Sequence, residues 1–225
     1  MSDEQPKKMR ARKPSWSRMA FIAGVVLVID QITKFLAVKH LTFAMGKNAG
    51  FSQNIHTFLT SRHLMNETGG YHYDFIQAFW SHRYAENPGA AWSFLASAPE
   101  SIRVPFFFMI SVVAIVLIGW YYTNLKSDQR LLQLALSLVM GGALGNLVDR
   151  GIRGYVIDFI DWHLADPDWH SRWHWPTFNV ADSGISVGVG LIALDTLLAW
   201  WHARKAPKAS PARTVPPPAA DAPAK

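Results

Sequence analysis

Residues 104–123 read "VPFFFMISVVAIVLIGWYYT". No charged side chain interrupts them, and about twenty such residues are what a helix needs to cross a bilayer core. The stretch is a transmembrane span, and the rest of the chain is read outward from it. Half of the 225 residues are apolar and 17% are charged, yet the mean hydropathy is only +0.06. The apolar residues are therefore gathered in blocks separated by polar segments, the pattern of a membrane protein with sizeable loops. There is no cysteine, which excludes disulfides, cysteine nucleophiles, thiolate metal sites and lipidation of the chain on cysteine.

Three more blocks follow the same logic. Residues 19–40, "MAFIAGVVLVIDQITKFLAVKH", form a first span with Asp30 and Lys34 inside it. Its leading apolar run has the length of a secretory signal, with Ala44-Met45-Gly46 in the place of a cleavage site, but apolar residues resume after Lys34 and the segment is expected to be retained. Residues 131–150 form a third span, whose Gly141, Gly142 and Gly145 would allow close helix approach. Residues 183–201 form a fourth, closed by the interface anchors Trp200 and Trp201. Lys7, Lys8, Arg10, Arg12, Lys13 and Arg18 precede the first span; Arg204, Lys205, Lys208 and Arg213 follow the last. Both termini are thus expected in the cytoplasm, the parity four spans require. Because these basic residues flank lipid-length segments, no nucleic acid partner is expected.

The organisation expected is a basic arm at 1–18, a single membrane domain at 19–203 and a disordered Pro/Ala-rich cytoplasmic tail at 204–225. Segments 41–103 and 151–178 then lie outside the cytoplasm, and carry Trp80, Trp92, Trp162, Trp169, Trp173 and Trp175 as headgroup-level residues. Turn signals at 48–50 and 67–70 with aromatic runs between them predict a small sheet and a helical piece in the first of these segments. The fold class is membrane all-α: a four-transmembrane-helix bundle with a small extracytoplasmic β-sheet and an interfacial helix.

Ionisable residues at membrane depth are costly and usually mark function. Here they are Asp30, Lys34, Asp149, Arg150, Asp158, Asp182 and Asp195. Each has a plain alternative: Asp30 and Lys34 form an i,i+4 ion pair, Asp149 is a solvated helix end, Asp182 and Ser183 cap the fourth helix, and Asp195 lies at the inner headgroups. The topology nevertheless brings "NLVDRGIRGYVIDFIDWH" and "FNVADS" (178–183) to one depth, so that Asp158 and Asp182 meet among Asn146, Arg150 and Asn179. Two carboxylates close together in a poorly hydrated place share a proton. The ionised partner takes a proton from water, and the protonated one hydrogen-bonds to a scissile carbonyl and helps protonate the leaving amine.

"DQITK" in the first span, "NPGAAW" at 87–92, "GNLVDRGIRGYVIDF" at 145–159 and "FNVADS" at 178–183 resemble, in order, the four blocks of lipoprotein signal peptidase, the aspartic-type signal peptidase II of bacteria. The resemblance covers about residues 19–201. It implies that Asp158 and Asp182 are the catalytic pair, and that Asp30, Lys34, Asn87, Gly89, Asn146, Arg150 and Asn179 shape the site or bind substrate. It implies a sheet that cradles the substrate, and cleavage of diacylglyceryl-modified prolipoproteins just before the lipidated cysteine. It further implies an inner-membrane location, contact with membrane lipids, inhibition by globomycin and a chain adequate as a monomer. Spacing places Asn146 and Arg150 on one helix face, where Arg150 is expected to hold Asp158 or a substrate carbonyl. Gly89-Ala90-Ala91 leaves little bulk where a peptide would pass. The segment "SRHLMNETGGYHYDFIQAFWSHRY" (61–84) is extra relative to the family.

Three other functions compete with this reading. His163, His170 and His174 with Asp161, Asp166 or Asp168 offer ligands for a catalytic divalent metal, His170 and His174 at helical i,i+4 spacing. Pro167 and the interleaved tryptophans speak for an interfacial loop instead, so neither metal nor cofactor is expected. A membrane proton or ion relay through Asp30, Lys34, Asp158, Asp182 and Asp195 is the alternative function, and Asp195 discriminates it because the peptidase reading gives that residue no task. A membrane scaffold with merely structural polar contacts fits poorly with the clustering of the blocks on one side.

Overall fold

The computed structural model describes residues 13–46, 48–61, 64, 71–76, 78–89, 98–165 and 172–205. The basic arm before residue 13, the Pro/Ala-rich tail after 205, the turn at 67–70 and Ala90, Ala91, Trp92 and Trp169 lie outside them.

Four helices are long and apolar enough to cross a membrane: α1 (Trp16–Leu41), α3 (Glu100–Thr123), α4 (Arg130–Arg153) and α5 (Val180–Lys205). At a rise of about 1.5 Å per residue each exceeds the roughly 30 Å of hydrocarbon. They correspond to the four expected spans, and differ only at ends fixed by local chemistry. The α1 helix starts where the Ser15 hydroxyl accepts from the Arg18 amide at 3.4 Å, and α4 stops where Gly154 adopts a left-handed φ of +82° that a side chain would strain. At the far end of α5, the Arg204 and Lys205 cations lie 4.0 and 3.5 Å over the Trp200 and Trp201 rings, anchoring a helix end at an interface.

The α4 helix is central: it packs on α1, α3 and α5, whereas α3 and α5 turn Met109, Val113, Val116, Leu117, Val187 and Leu197 outward. Its glycines explain the close approach. A Cβ on Gly142 would strike the Ala181 carbonyl of α5, and one on Gly145 would lie 2.5 Å from the Asp30 carboxylate of α1. Small residues at this depth let polar groups of three helices meet.

Between the spans, α2 (Phe51–Thr60) and a four-stranded antiparallel sheet cover one end of the bundle. Its strands run β1 (His72–Ile76), β2 (Trp80–Asn87), β3 (Val156–Ala165) and β4 (Arg172–His174), in that spatial order. The extra segment at 61–84 thus supplies the edge strand β1 and the first part of β2. Sequence reading placed the strands in the first outer segment, whereas β3 and β4 come from the second. From Val156 to Phe159 the chain is buried without alternation, so the period of two that marks a half-exposed strand is missing. The sheet packs on the end of α1 through Ala37, Val38, Leu41, Tyr84, Ile157 and Phe159. Beyond β4, the Phe178 amide donates to the Ile160 carbonyl at 3.0 Å and the Phe178 carbonyl accepts from the Ile160 amide at 2.9 Å. That exchange brings the start of α5 beside Asp158.

Candidate active site

Asp158 is 1% exposed on β3, opposite Ala85 of β2. One carboxylate oxygen, Oδ2, accepts from Asn87 Nδ2 at 3.0 Å, and the other, Oδ1, from Asn179 Nδ2 at 2.8 Å. The Asn87 amide is itself oriented, because its Oδ1 accepts from the Gly89 amide at 3.1 Å and so turns its NH₂ toward Asp158.

Asp182 lies in the first turn of α5. Its Oδ1 accepts from Asn146 Nδ2 at 2.8 Å and its Oδ2 from the Asn179 backbone amide at 3.3 Å, while Asn179 Oδ1 accepts from the Asp182 amide at 2.9 Å. This reciprocal pair is a capping box with Asn179 as the cap. The expected caps were Asp182 and Ser183; the structure moves the cap back to Asn179, and Asp182 closes the box from inside the helix. Asn179, fully buried, thereby touches both aspartates.

Asp30 and Lys34 do form the expected ion pair, at 2.8 Å, but Lys34 also holds Asp149 at 2.7 Å, and all three are fully buried. The reading of Asp149 as a solvated helix end is therefore corrected. Its carboxylate also binds Arg153 at 3.0 Å and accepts from the Ile157 amide at 3.2 Å. Arg153 in turn donates to the Phe58 carbonyl and lies 4.2 Å over the Phe58 ring, pinning α2. Gln31 completes the cluster by donating to Asp30 at 3.1 Å. Gln31 and Arg153 were missed in the sequence, where they read as an ordinary polar residue and a basic helix end.

Two links join this cluster to the aspartates. Asp30 Oδ1 accepts from the Ala181 amide at 2.9 Å, in the first turn of α5. Lys34 donates to Asn146 Oδ1 at 3.1 Å; with its oxygen held by a cation, Asn146 presents its NH₂ to Asp182. Arg150 donates to Ser111 Oγ at 3.3 Å and to the Asn146 carbonyl at 3.4 Å, and of its two expected partners, Asp158 or a substrate carbonyl, Asp158 is not among these acceptors. It lines a cleft of about 590 Å³ with Asn87, Gly89, Trp175, Phe178 and Asp182.

Burial, and after it the nearby charge of Asp182, push the Asp158 carboxyl up to about 7; the Asn87 and Asn179 donors and the Lys34 charge oppose the shift. An aspartate poised there near neutral pH, with a second one bridged to it by one amide, is equipped for proton transfer. Of the suggested metal ligands, Asp161, His163 and His174 come together, on strands and not on a helix; His170, Asp166 and Asp168 lie outside the described residues.

Comparison with known proteins identifies the family of the chain. The family model described as signal peptidase (SPase) II matches residues 22–198. The lipoprotein signal peptidase of Anaeromyxobacter sp. (strain Fw109-5) is 41% identical over 83% of this chain and 88% of its own length; that of Syntrophotalea carbinolica is 38% identical over 82% and 91%. A bacterial membrane enzyme solved by the in meso method at 2.3 Å resolution superposes with a TM-score of 0.61 and 27% identity, over 88% of this chain and 98% of its own. This four-span chain belongs to the signal peptidase II family.

Proposed function

We propose that this multi-pass bacterial membrane protein is an aspartic endopeptidase that removes the signal peptide from diacylglyceryl-modified prolipoproteins, cutting just before the lipidated cysteine. Asp158 and Asp182 are the residues assigned to the chemistry. The observation that carries the assignment is Asn179, whose side-chain NH₂ binds Asp158 and whose backbone amide and side-chain Oδ1 hold Asp182 in the capping box.

In the resting pair one carboxyl is ionised and one protonated. The ionised carboxylate takes a proton from water as its oxygen attacks the scissile carbonyl carbon, and the protonated partner hydrogen-bonds the carbonyl oxygen as charge develops there. Collapse of the tetrahedral adduct breaks the C–N bond. The proton taken from water passes to the leaving nitrogen, the new amino terminus of the lipidated cysteine, and the signal peptide departs with a carboxyl terminus. Asn87, Asn146 and Asn179 hold the carboxylates, Gly89 and Arg150 face the substrate chain, and Asp30 and Lys34 support Asn146 and α5. The outward apolar faces of α3 and α5 contact membrane lipids. Both termini are assigned to the cytoplasm and the cleft to the outer leaflet, supported by the basic flanks of the first and last spans. There the acyl chains of the substrate stay in the bilayer. The domain limits at 19–203, action as a monomer, and globomycin binding in the cleft belong to the same reading. The relay alternative finds no support: among the described residues Asp195 joins none of the bonds around the aspartates.

The test is cleavage by the purified full chain of one precursor with and without the diacylglyceryl group. Release of the signal peptide from the modified precursor alone is expected. Equal cleavage of both, or of neither, would overturn the substrate assignment.

A further inference from the structure

On the sheet, away from the aspartate pair, Asp161 and His163 stand two residues apart on β3, and His174 is the cross-strand partner of His163 on β4. Alternation along a strand and direct opposition across it put all three side chains on one face. One ligand atom from each lies within 4.8 Å of the others. His174 Nδ1 is 3.0 Å from Asp161 Oδ1, and His163 Nδ1 is 3.7 Å from Asp161 Oδ2. The second distance is too long for a hydrogen bond. His163 is 3% exposed, yet its Nδ1 has no hydrogen-bond partner among the described residues. A buried ring nitrogen aimed at a carboxylate without reaching it is a group awaiting a ligand.

We propose that Asp161, His163 and His174 bind a divalent transition metal of the zinc class, as a clasp between β3 and β4. Two imidazoles and a carboxylate suit zinc, and metal–ligand bonds near 2.0–2.1 Å in a tetrahedron set neighbouring ligand atoms roughly 3.3 Å apart. The observed 3.0 and 3.7 Å bracket that separation. His174 is one-third exposed, which leaves the fourth position to water. Ser81 Oγ, donating to Asp161 Oδ2 at 3.2 Å, orients the carboxylate from β2. Arg83 Nε, 3.3 Å from the same oxygen, is the competing cation.

The clasp has a positioning role, distinct from the proposed peptide cleavage. Asp161 is three residues beyond Asp158 on β3, and β4 runs by way of Trp175, whose amide donates to the Trp162 carbonyl at 2.8 Å, to Asn179. Fixing β4 on β3 holds the strand that feeds the cap of α5. Metal-free enzyme keeps its catalytic groups and loses stiffness in the sheet.

The experiment uses the full chain in detergent, without a histidine tag, stripped by chelator and dialysed, then titrated with Zn²⁺ by calorimetry and with Co²⁺ by visible absorption. One saturable site is expected, with the absorption bands of four-coordinate cobalt and a higher thermal transition. His163→Ala and His174→Ala should each weaken binding at least about 100-fold, and Arg83→Ala should tighten it about tenfold by removing the competing charge. No saturable site, or a site unaffected by both histidine variants, would overturn the proposal. Stripped enzyme should still cleave lipidated precursor at low temperature. Loss of cleavage without unfolding would overturn the positioning role and implicate metal in the reaction, whereas failure of every metal assay with cleavage intact would leave the peptidase reading standing alone.

Discussion

Two groups of aspartates sit at the same end of the bundle and are treated in opposite ways. Asp30 and Asp149 are buried against cations: Lys34 lies between them and Arg153 closes the far side. Asp158 is buried, and Asp182 half-buried, against amides: Asn87, Asn146 and Asn179 supply their bonds. Ion pairs tie these carboxylates in place, and the cluster acts as a rigid joint between α1, α4 and α2. A neutral amide binds the anion without neutralising it, so the proton count of the second pair stays adjustable. One residue type thus makes a joint in one place and, in the proposed mechanism, an acid–base pair in the other.

Exchanging the consequences of these two groups is the strongest way to break the contrast. Asp158→Asn or Asp182→Asn should lower kcat/KM on lipidated precursor by at least about a thousandfold, within the range of acid–base catalysis, while the variants stay folded and still bind globomycin. Full activity in either would end the two-aspartate mechanism. Lys34→Met should do the reverse, costing about 3–5 kcal/mol because it leaves the buried Asp30 without a cation and Asp149 with Arg153 alone, read as a fall in thermal midpoint in detergent. A variant as stable as the parent would show that the cluster is not a joint.

Smaller changes sharpen the difference. Asn179→Ala removes the helix cap, worth about 1 kcal/mol, and the side-chain donor to Asp158, so it should lower both midpoint and turnover. Cleavage should decline as pH rises through about 7, where Asp158 loses its proton. Because the folded carboxyl titrates above its ordinary value, its burial penalty is absent at acid pH and grows as pH rises through that value, so Asp158→Asn should gain stability on the parent at alkaline pH. Asn87 bonds the ionised form, so Asn87→Ala should move the alkaline limb of the pH–rate profile upward, by about one unit for a lost bond of about 1.4 kcal/mol. Asp195→Asn should change midpoint by less than about 0.5 kcal/mol and leave cleavage intact; lost cleavage there would revive the relay.

The contrast also explains what could be read without coordinates. The four spans were legible because lipid demands long uncharged runs, and Gly141, Gly142 and Gly145 announced close packing. Asp158 and Asp182 were legible through the quoted blocks. Asp149 was not, since a charged residue near a helix end has the same local pattern whether water or another helix covers it. Its burial depends on α1 and α2, far off in sequence. The Ser111 contact of Arg150 was not legible for a related reason: helix spacing fixes the face it occupies but not which acceptor, Ser111 of α3 or Asp158 of β3, lies across from it. The β3 strand escaped because burial on both faces erases alternation.

Asn179 begins the last helix and binds both proposed catalytic groups, and Asp30 of the first helix holds the amide of Ala181 two residues later. The earliest and latest spans to leave the ribosome must therefore both be seated before the aspartates face each other. A half-inserted chain is a protease without a site, and during its own biogenesis the enzyme stays silent until its topology is complete.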